Sequence, residues 1–274
     1  MEIGGDKVPL MVFAGFLIFV MALVAFSIVQ RMELNGRLKR IFNRMTRGEG
    51  FTDVKDDDGE KARVRSLYDS ARFAAGYSNL RSFSLCIKRK EPWGEVYLYQ
   101  GVTGTASQRG SGMRESLGLI VSLDLPLKGR MFLRPRMEGM AETLAEGLIN
   151  LLINMMGSVT RDPFPAINSK YASYLLNMTG QEGQRAITPR VQEILLQAKG
   201  KYPLDEKSTE SPGINLGRNA LLIEGRITGE EKEIHSLVEL GSRLGKELSG
   251  RNEDAGAGSI STQEDGDEII RFDG

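Results

Sequence analysis

Few residues in this chain have the type and spacing that chemistry requires. His235 is the lone histidine, so neither an H-E-x-x-H helix nor a pair of imidazoles for zinc can be assembled. It falls among Glu231, Lys232, Glu233 and Glu239, the setting of a surface or boundary residue. Cys86 is the lone cysteine. No neighbouring motif activates its thiol, and the alternation around it places it on a half-buried strand. Nucleophile-elbow, S-x-x-K and Walker-type patterns are missing from the sequence. Asp56-Asp57-Asp58-Gly59 is calcium-like in composition, yet a calcium loop needs an oxygen ligand where Val54 stands and a glutamate where Arg65 stands. The glycines of Gly101-Val102-Thr103-Gly104 and Arg109-Gly110-Ser111-Gly112 lie between two strand candidates. A phosphate cradle instead joins a strand to a helix N-terminus. The sequence therefore assigns no catalytic residue, no cofactor and no metal.

Two apolar features remain as candidate partner contacts. Trp93, the sole tryptophan, follows Pro92 on a predicted turn, where it either anchors a partner or folds back over the sheet edge. Ile269, Ile270 and Phe272 form an apolar island in an acidic tail, a candidate docking peptide for a partner or for the domain's own sheet.

The element that positions everything else is Val8 to Val29, twenty-two residues without a charge. As a helix it reaches about 33 Å, enough for a hydrocarbon core of about 30 Å. The preceding MEIGGDK is not basic and no Ala-x-Ala site follows, so the run predicts an uncleaved anchor rather than a signal peptide. Arg31, Arg37, Lys39, Arg40, Arg44 and Arg47 follow against only Glu33. Basic flanks stay on the cytoplasmic side, so the expectation is a single-pass inner (plasma) membrane protein, N-terminus outside and bulk in the cytoplasm. Leu34, Leu38, Ile41, Phe42 and Met45 recur at helical spacing between these cations. That segment either lies on the inner leaflet, with Arg37, Lys39, Arg40, Arg44 and Arg47 on anionic headgroups, or continues the anchor outward with a solvated face. No basic stripe interleaved with aromatics occurs, so nucleic acid is not an expected partner.

The remaining chain predicts an α+β fold: an antiparallel meander packed with helices and closed by a strand–strand–helix unit. Residues 1–30 are the N-terminal tail and anchor, and 31–60 the basic juxtamembrane helix and acidic linker. Residues 61–157 form a strand-rich half ending in a helix, 158–249 a second α+β half, and 250–274 a disordered acidic tail. Strands are predicted at Phe83–Lys88, Glu95–Thr105, Ser116–Leu125 and Gly129–Arg134, paired in sequence order. A helix over Gly139–Met156 carries Met140, Leu144, Leu148, Leu151 and Met155 as its apolar stripe. Beyond it lie a short strand at Ala166–Ser173, a helix capped by Thr188 with Pro189 at its first position, and a hairpin Ile214–Leu216/Ala220–Arg226. A last helix has Thr228 and Glu231 as a capping box.

In element order, and in the break Arg161-Asp162-Pro163-Phe164 before the second half, residues Ser82 to Leu248 resemble uncharacterised prokaryotic membrane-anchored proteins. That resemblance implies one N-terminal span and a cytoplasmic α+β domain, and carries no known activity. The expected function is a membrane-anchored, cytoplasm-facing interaction or scaffold protein with an unknown protein partner. The alternatives are an enzyme or small-ligand sensor whose site leaves no motif, or an anionic-lipid-surface module.

Overall fold

In the computed structural model the apolar run and the basic segment form one unbroken helix, α1 (Lys7–Gly48). At 1.5 Å per residue this rod is about 63 Å long. The structure describes residues 7–73, 78–105, 113–125, 127–136, 139–156, 158–201, 213–225 and 229–250. The N-terminal half of α1 is long and apolar enough to cross a membrane. Thirteen large apolar side chains between Phe13 and Met32 are exposed. At about 100 Å² each and roughly 25 cal/mol per Å², leaving them in water would cost about 30 kcal/mol. The C-terminal half behaves differently: Leu38, Ile41, Phe42 and Met45 are buried in the domain's main core. The amphipathic segment thus continues the apolar run in one helix, and its apolar face is covered by the protein's own core.

After α1 come β1 (Thr52–Asp53), α2 (Asp58–Ala71), β2 (Ser78–Glu91), β3 (Gly94–Thr105), β4 (Met113–Ser122) and β5 (Arg130–Pro135). Then follow α3 (Met140–Met156), β6 (Val159–Arg161), β7 (Tyr171–Leu176), α4 (Gly180–Ala186) and α5 (Pro189–Lys201). The hairpin β8 (Gly213–Leu216) and β9 (Ala220–Gly225) and the helix α6 (Glu231–Ser249) close the fold. The strands make one antiparallel sheet in the order β1-β2-β3-β4-β9-β8-β5-β7-β6. This is the expected α+β architecture. Strands β2, β3 and β4 form the expected meander, but β5 does not follow β4. The late hairpin inserts between them, pairing Leu119 with Ile223 and Leu133 with Ile214. The reason is burial: Leu221, Leu222 and Ile223 are buried consecutively, and a strand apolar on both faces belongs in the middle of a sheet. The stretches 61–157 and 158–249 therefore contribute interleaved strands to the same sheet.

Alternation sorts the two faces. Val96 and Leu98 of β3 join the core under α1, α5 and α6, while Tyr97 and Tyr99 point into a second core under α2. On that second face, Phe132, Tyr174 and Leu176 meet Ile149 and Ile153 of α3.

Local chemistry corrects several expectations. The acidic stretch before α2 keeps its aspartates exposed but is tied to the domain at both ends. Phe51 is buried, Thr52 pairs with Lys88, and the Asp57 carboxylate caps α2 by accepting the Glu60 N–H at 3.0 Å. The strand expected at Ala166–Ser173 begins only at Tyr171, after turns. A capping box of Thr179 and Glu182 starts α4, the T-x-x-E pattern of the sequence. Thr188 does cap α5, its hydroxyl accepting the Val191 N–H at 3.4 Å. The N-cap of α6 is Glu230, with no side-chain cap bond, and Thr228 lies outside the described residues.

Candidate functional site

The residues singled out for chemistry are held in structural roles. Cys86 is buried in the core under α2, and burial pushes its thiol up to about 12, so it is a packing residue rather than a nucleophile. His235 joins α6 to the end of α1, its Nε2 lying 2.9 Å from Glu49 Oε1. Gly101 and Gly104 sit on β3, opposite Ser116 and Met113, and residues 106–112 lie outside the described residues. Trp93 folds back onto α6, where a Cβ on Gly245 would come within 2.4 Å of its ring. Ile269, Ile270 and Phe272 lie outside the described residues.

The basic residues line the outer side of α1. Arg37, Lys39, Arg40, Arg44 and Arg47 are all exposed. Arg44 reaches both carboxylate oxygens of Glu231 at 2.6 Å, tying α1 to α6. Arg31 pairs with Glu115, and Asn35 accepts from Gln100 at 2.8 Å. The first domain contact of α1 therefore falls two residues after Val29, the last residue of the apolar run. The apolar run thus passes into the domain within one continuous helix.

The least expected feature is α3. Two carboxylates interrupt this apolar helix, and both turn inward. Arg134 of β5 is 7% exposed and forks onto Glu142, at 2.7 and 2.8 Å, the bidentate geometry that guanidinium favours. The hydrogen bond with Glu142 holds the Arg134 pKa above its ordinary value, outweighing burial. Arg136 bonds Asp162 at 2.9 Å and the Asn168 carbonyl at 2.6 Å, and lies 3.3 Å from Glu142 and 3.6 Å from Glu146. Asp162, in the Arg161–Phe164 break, has a left-handed backbone with φ of +44°. There its carboxylate accepts the Ser173 N–H at 3.1 Å as well as Arg136.

These ion pairs decide which way α3 faces. With Glu142 and Glu146 drawn to Arg134 and Arg136, Ile149 and Ile153 are the described side chains of α3 that reach the sheet core. The stripe read from the sequence points out: Met140 is 81% exposed, Leu144 64%, Leu148 66% and Leu151 62%. Their combined exposed area is roughly 500 Å², in the range where a contiguous apolar patch marks an interaction surface. Sequence reasoning missed this cluster, although its signal was present: Arg134-Pro135-Arg136 followed by two glutamates four apart on an otherwise apolar helix.

A second clamp holds α2. Lys88 Nζ lies 2.6 Å from Glu60 and 2.8 Å from Glu95, and the single Tyr97 hydroxyl proton is shared between the two carboxylates, 2.8 Å from Glu60 and 3.0 Å from Glu95. Burial alone would lower the Lys88 pKa, but the hydrogen bonds from its ammonium to Glu60 and Glu95 outweigh it and raise the value. Lys88 is thus a committed cation and not a poised amine nucleophile. Nearby, Glu224 accepts from Tyr68 and Arg72, each at 3.2 Å. Among the described residues no group of three His, Cys, Asp or Glu is arranged to hold a metal. An open cleft of about 800 Å³ between α5 and α6 is lined by Arg190, which pairs with Glu193, and by Arg243, Lys246, Glu247 and Gly250 among others.

No family model matches the chain, and no curated protein matches it. Among solved structures, the crystal structure of the mycobacterial trehalose monomycolate transport factor A, TtfA, is similar. The identity is 10%, over 78% of this chain and 94% of that chain, with a TM-score of 0.44.

Proposed function

We propose that this is a membrane-tethered interaction protein, single-pass in the inner (plasma) membrane, with its domain in the cytoplasm and no catalytic chemistry of its own. The observation that carries the reading is the outward apolar stripe of α3, held in that attitude by buried ion pairs. A helix fixed with its apolar side in water is costly unless something covers it. The continuity of α1 supports the same reading, because it presents the domain directly at the membrane surface. Arg37 stands about 12 Å beyond Val29 along α1, and the Debye length is about 8 Å at physiological salt. Headgroup attraction therefore concentrates on Arg31, about 3 Å beyond Val29, while Arg37, Lys39, Arg40, Arg44 and Arg47 lie more than a Debye length out. The acidic tail, with Ile269, Ile270 and Phe272, is a second contact in this reading. Its acids complement the cations of the α5–α6 cleft, which Gly250 borders.

The test is site-specific photo-crosslinking of the full-length protein in intact cells, with probes at Leu148, Ile270 and, as an inward control, Ile153. Protein adducts at Leu148 that disappear with Leu144→Glu are expected. Adducts to lipid alone, or none at Leu148, would overturn the reading. A cytoplasm-active reporter fused after Gly274 should function, whereas activity only of an export-dependent one would reverse the orientation.

A further inference from the structure

We propose that the occupant of the α3 stripe is the same stripe on a second copy of this chain, a deepening that rests on α3 being the docking face. Spacing is the first argument. Leu144, Leu148 and Leu151 are four and three apart, and the sequence continues the series at Met155. That is the rhythm of a helix–helix seam. Gly147 flanks this face, three residues from Leu144 and four from Leu151, and a Cβ built there meets nothing within 4 Å. A small residue at the flank of a seam leaves room for the side chains of a second helix.

Charge selects among occupants. The helix carries Glu142 and Glu146 and no Lys or Arg, and the β5 arginines already engage both carboxylates. A helix that lies on an anionic bilayer uses cations on its polar side, and α3 has none. A charged partner groove would find nothing to pair with. A neutral apolar face, by contrast, is complementary to itself, as a two-fold interface requires.

Area and confinement complete the argument. Two stripes of roughly 500 Å² would remove about 1,000 Å² of apolar surface, near the lower limit for specific interfaces once flanking residues are added. Anchoring by α1 holds every copy in one orientation in two dimensions, which raises effective concentration and lets a small interface suffice. Because α1 and α3 pack on opposite faces of the sheet, two copies can join through α3 with their anchors outermost.

The chain supplies its own clean assay. Cys86 is buried and its thiol is pushed up to about 12, so the native protein offers no reactive cysteine at neutral pH. Leu144→Cys, Leu148→Cys and Leu151→Cys are introduced singly into the full-length protein and treated in native membranes with a short bismaleimide. Lys128→Cys, at an exposed position off the stripe, reports random collision. Covalent dimer several-fold above Lys128→Cys is expected at all three stripe positions. It should fall to the Lys128→Cys level when Leu151→Glu is added to Leu148→Cys. Stripe positions that crosslink no better than Lys128→Cys would overturn self-pairing. If Leu148 photo-adducts to other proteins persist in that case, the docking reading stands and only the identity of the occupant falls.

Discussion

Replacing Glu142 by leucine isolates what holds α3 in place. The substitution removes both short bonds of the Arg134 fork and leaves a buried guanidinium with Glu146 at 3.7 Å as its nearest described carboxylate. Breaking a buried pair from one side costs about 3–5 kcal/mol. Because Glu146 can move in, the lower figure applies, about 3 kcal/mol. On the other side of the balance, the described side chains that hold α3 on the sheet are Ile153, buried, and Ile149, partly buried. At about 1.5–3 kcal/mol for each fully buried side chain, that is a similar quantity. Glu142→Leu should therefore loosen α3 locally rather than unfold the sheet. In hydrogen exchange on the full-length protein in nanodiscs, amides of α3 should exchange about a hundredfold faster, corresponding to roughly 3 kcal/mol. Amides of β3 and β4 should be unchanged. Adding Arg134→Met to Glu142→Leu should restore much of the protection, since an apolar pair of similar volume replaces a buried ion pair at little cost. A uniform rise in exchange across the sheet, or no change in α3, would refute the claim that the ion pairs fix this helix.

Two further outcomes follow from the same geometry. The Glu95 carboxyl is held below its ordinary value of 4.5: burial would raise it, but hydrogen bonds from Lys88 and Tyr97 prevail. A lowered carboxyl contributes stability above the unfolded value that is lost as pH falls through the folded one. Thermal stability should accordingly decline below about pH 4.5, less steeply in Lys88→Met, and an unchanged acid limb in that variant would dismiss the network as its source. Gly241→Ala would bring a Cβ within 1.8 Å of Leu119 on β4. Overpacking of this kind costs about 1–3 kcal/mol, read as a lower denaturation midpoint, while the same change at Gly36 of α1, where a Cβ meets nothing within 4 Å, should cost nothing or stabilise.

Local pattern determined a good deal of this molecule. An uncharged run of membrane length declares itself without any partner, because its period and composition are properties of the segment. The alternation in β2, β3 and β4 likewise predicted strands, and adjacency in sequence predicted their meander. Asp57 and Glu182 were readable as caps in principle, since capping involves residues only three apart. The position of β5 was not readable. It depends on competition for the edge of β4, which the doubly apolar β9 wins from a hundred residues away. Nor could periodicity say which side of α3 faces in. Leu144, Leu148 and Leu151 make one apolar stripe, and Ile149 and Ile153 supply a second, sparser one beside two glutamates. Hydrophobicity alone favours burying the leucines. Only the fold brings Arg134 and Arg136 beneath the helix, and a buried cation must find its anion. That electrostatic demand, made by residues on another element, turned the leucines outward and left the surface on which the functional reading rests.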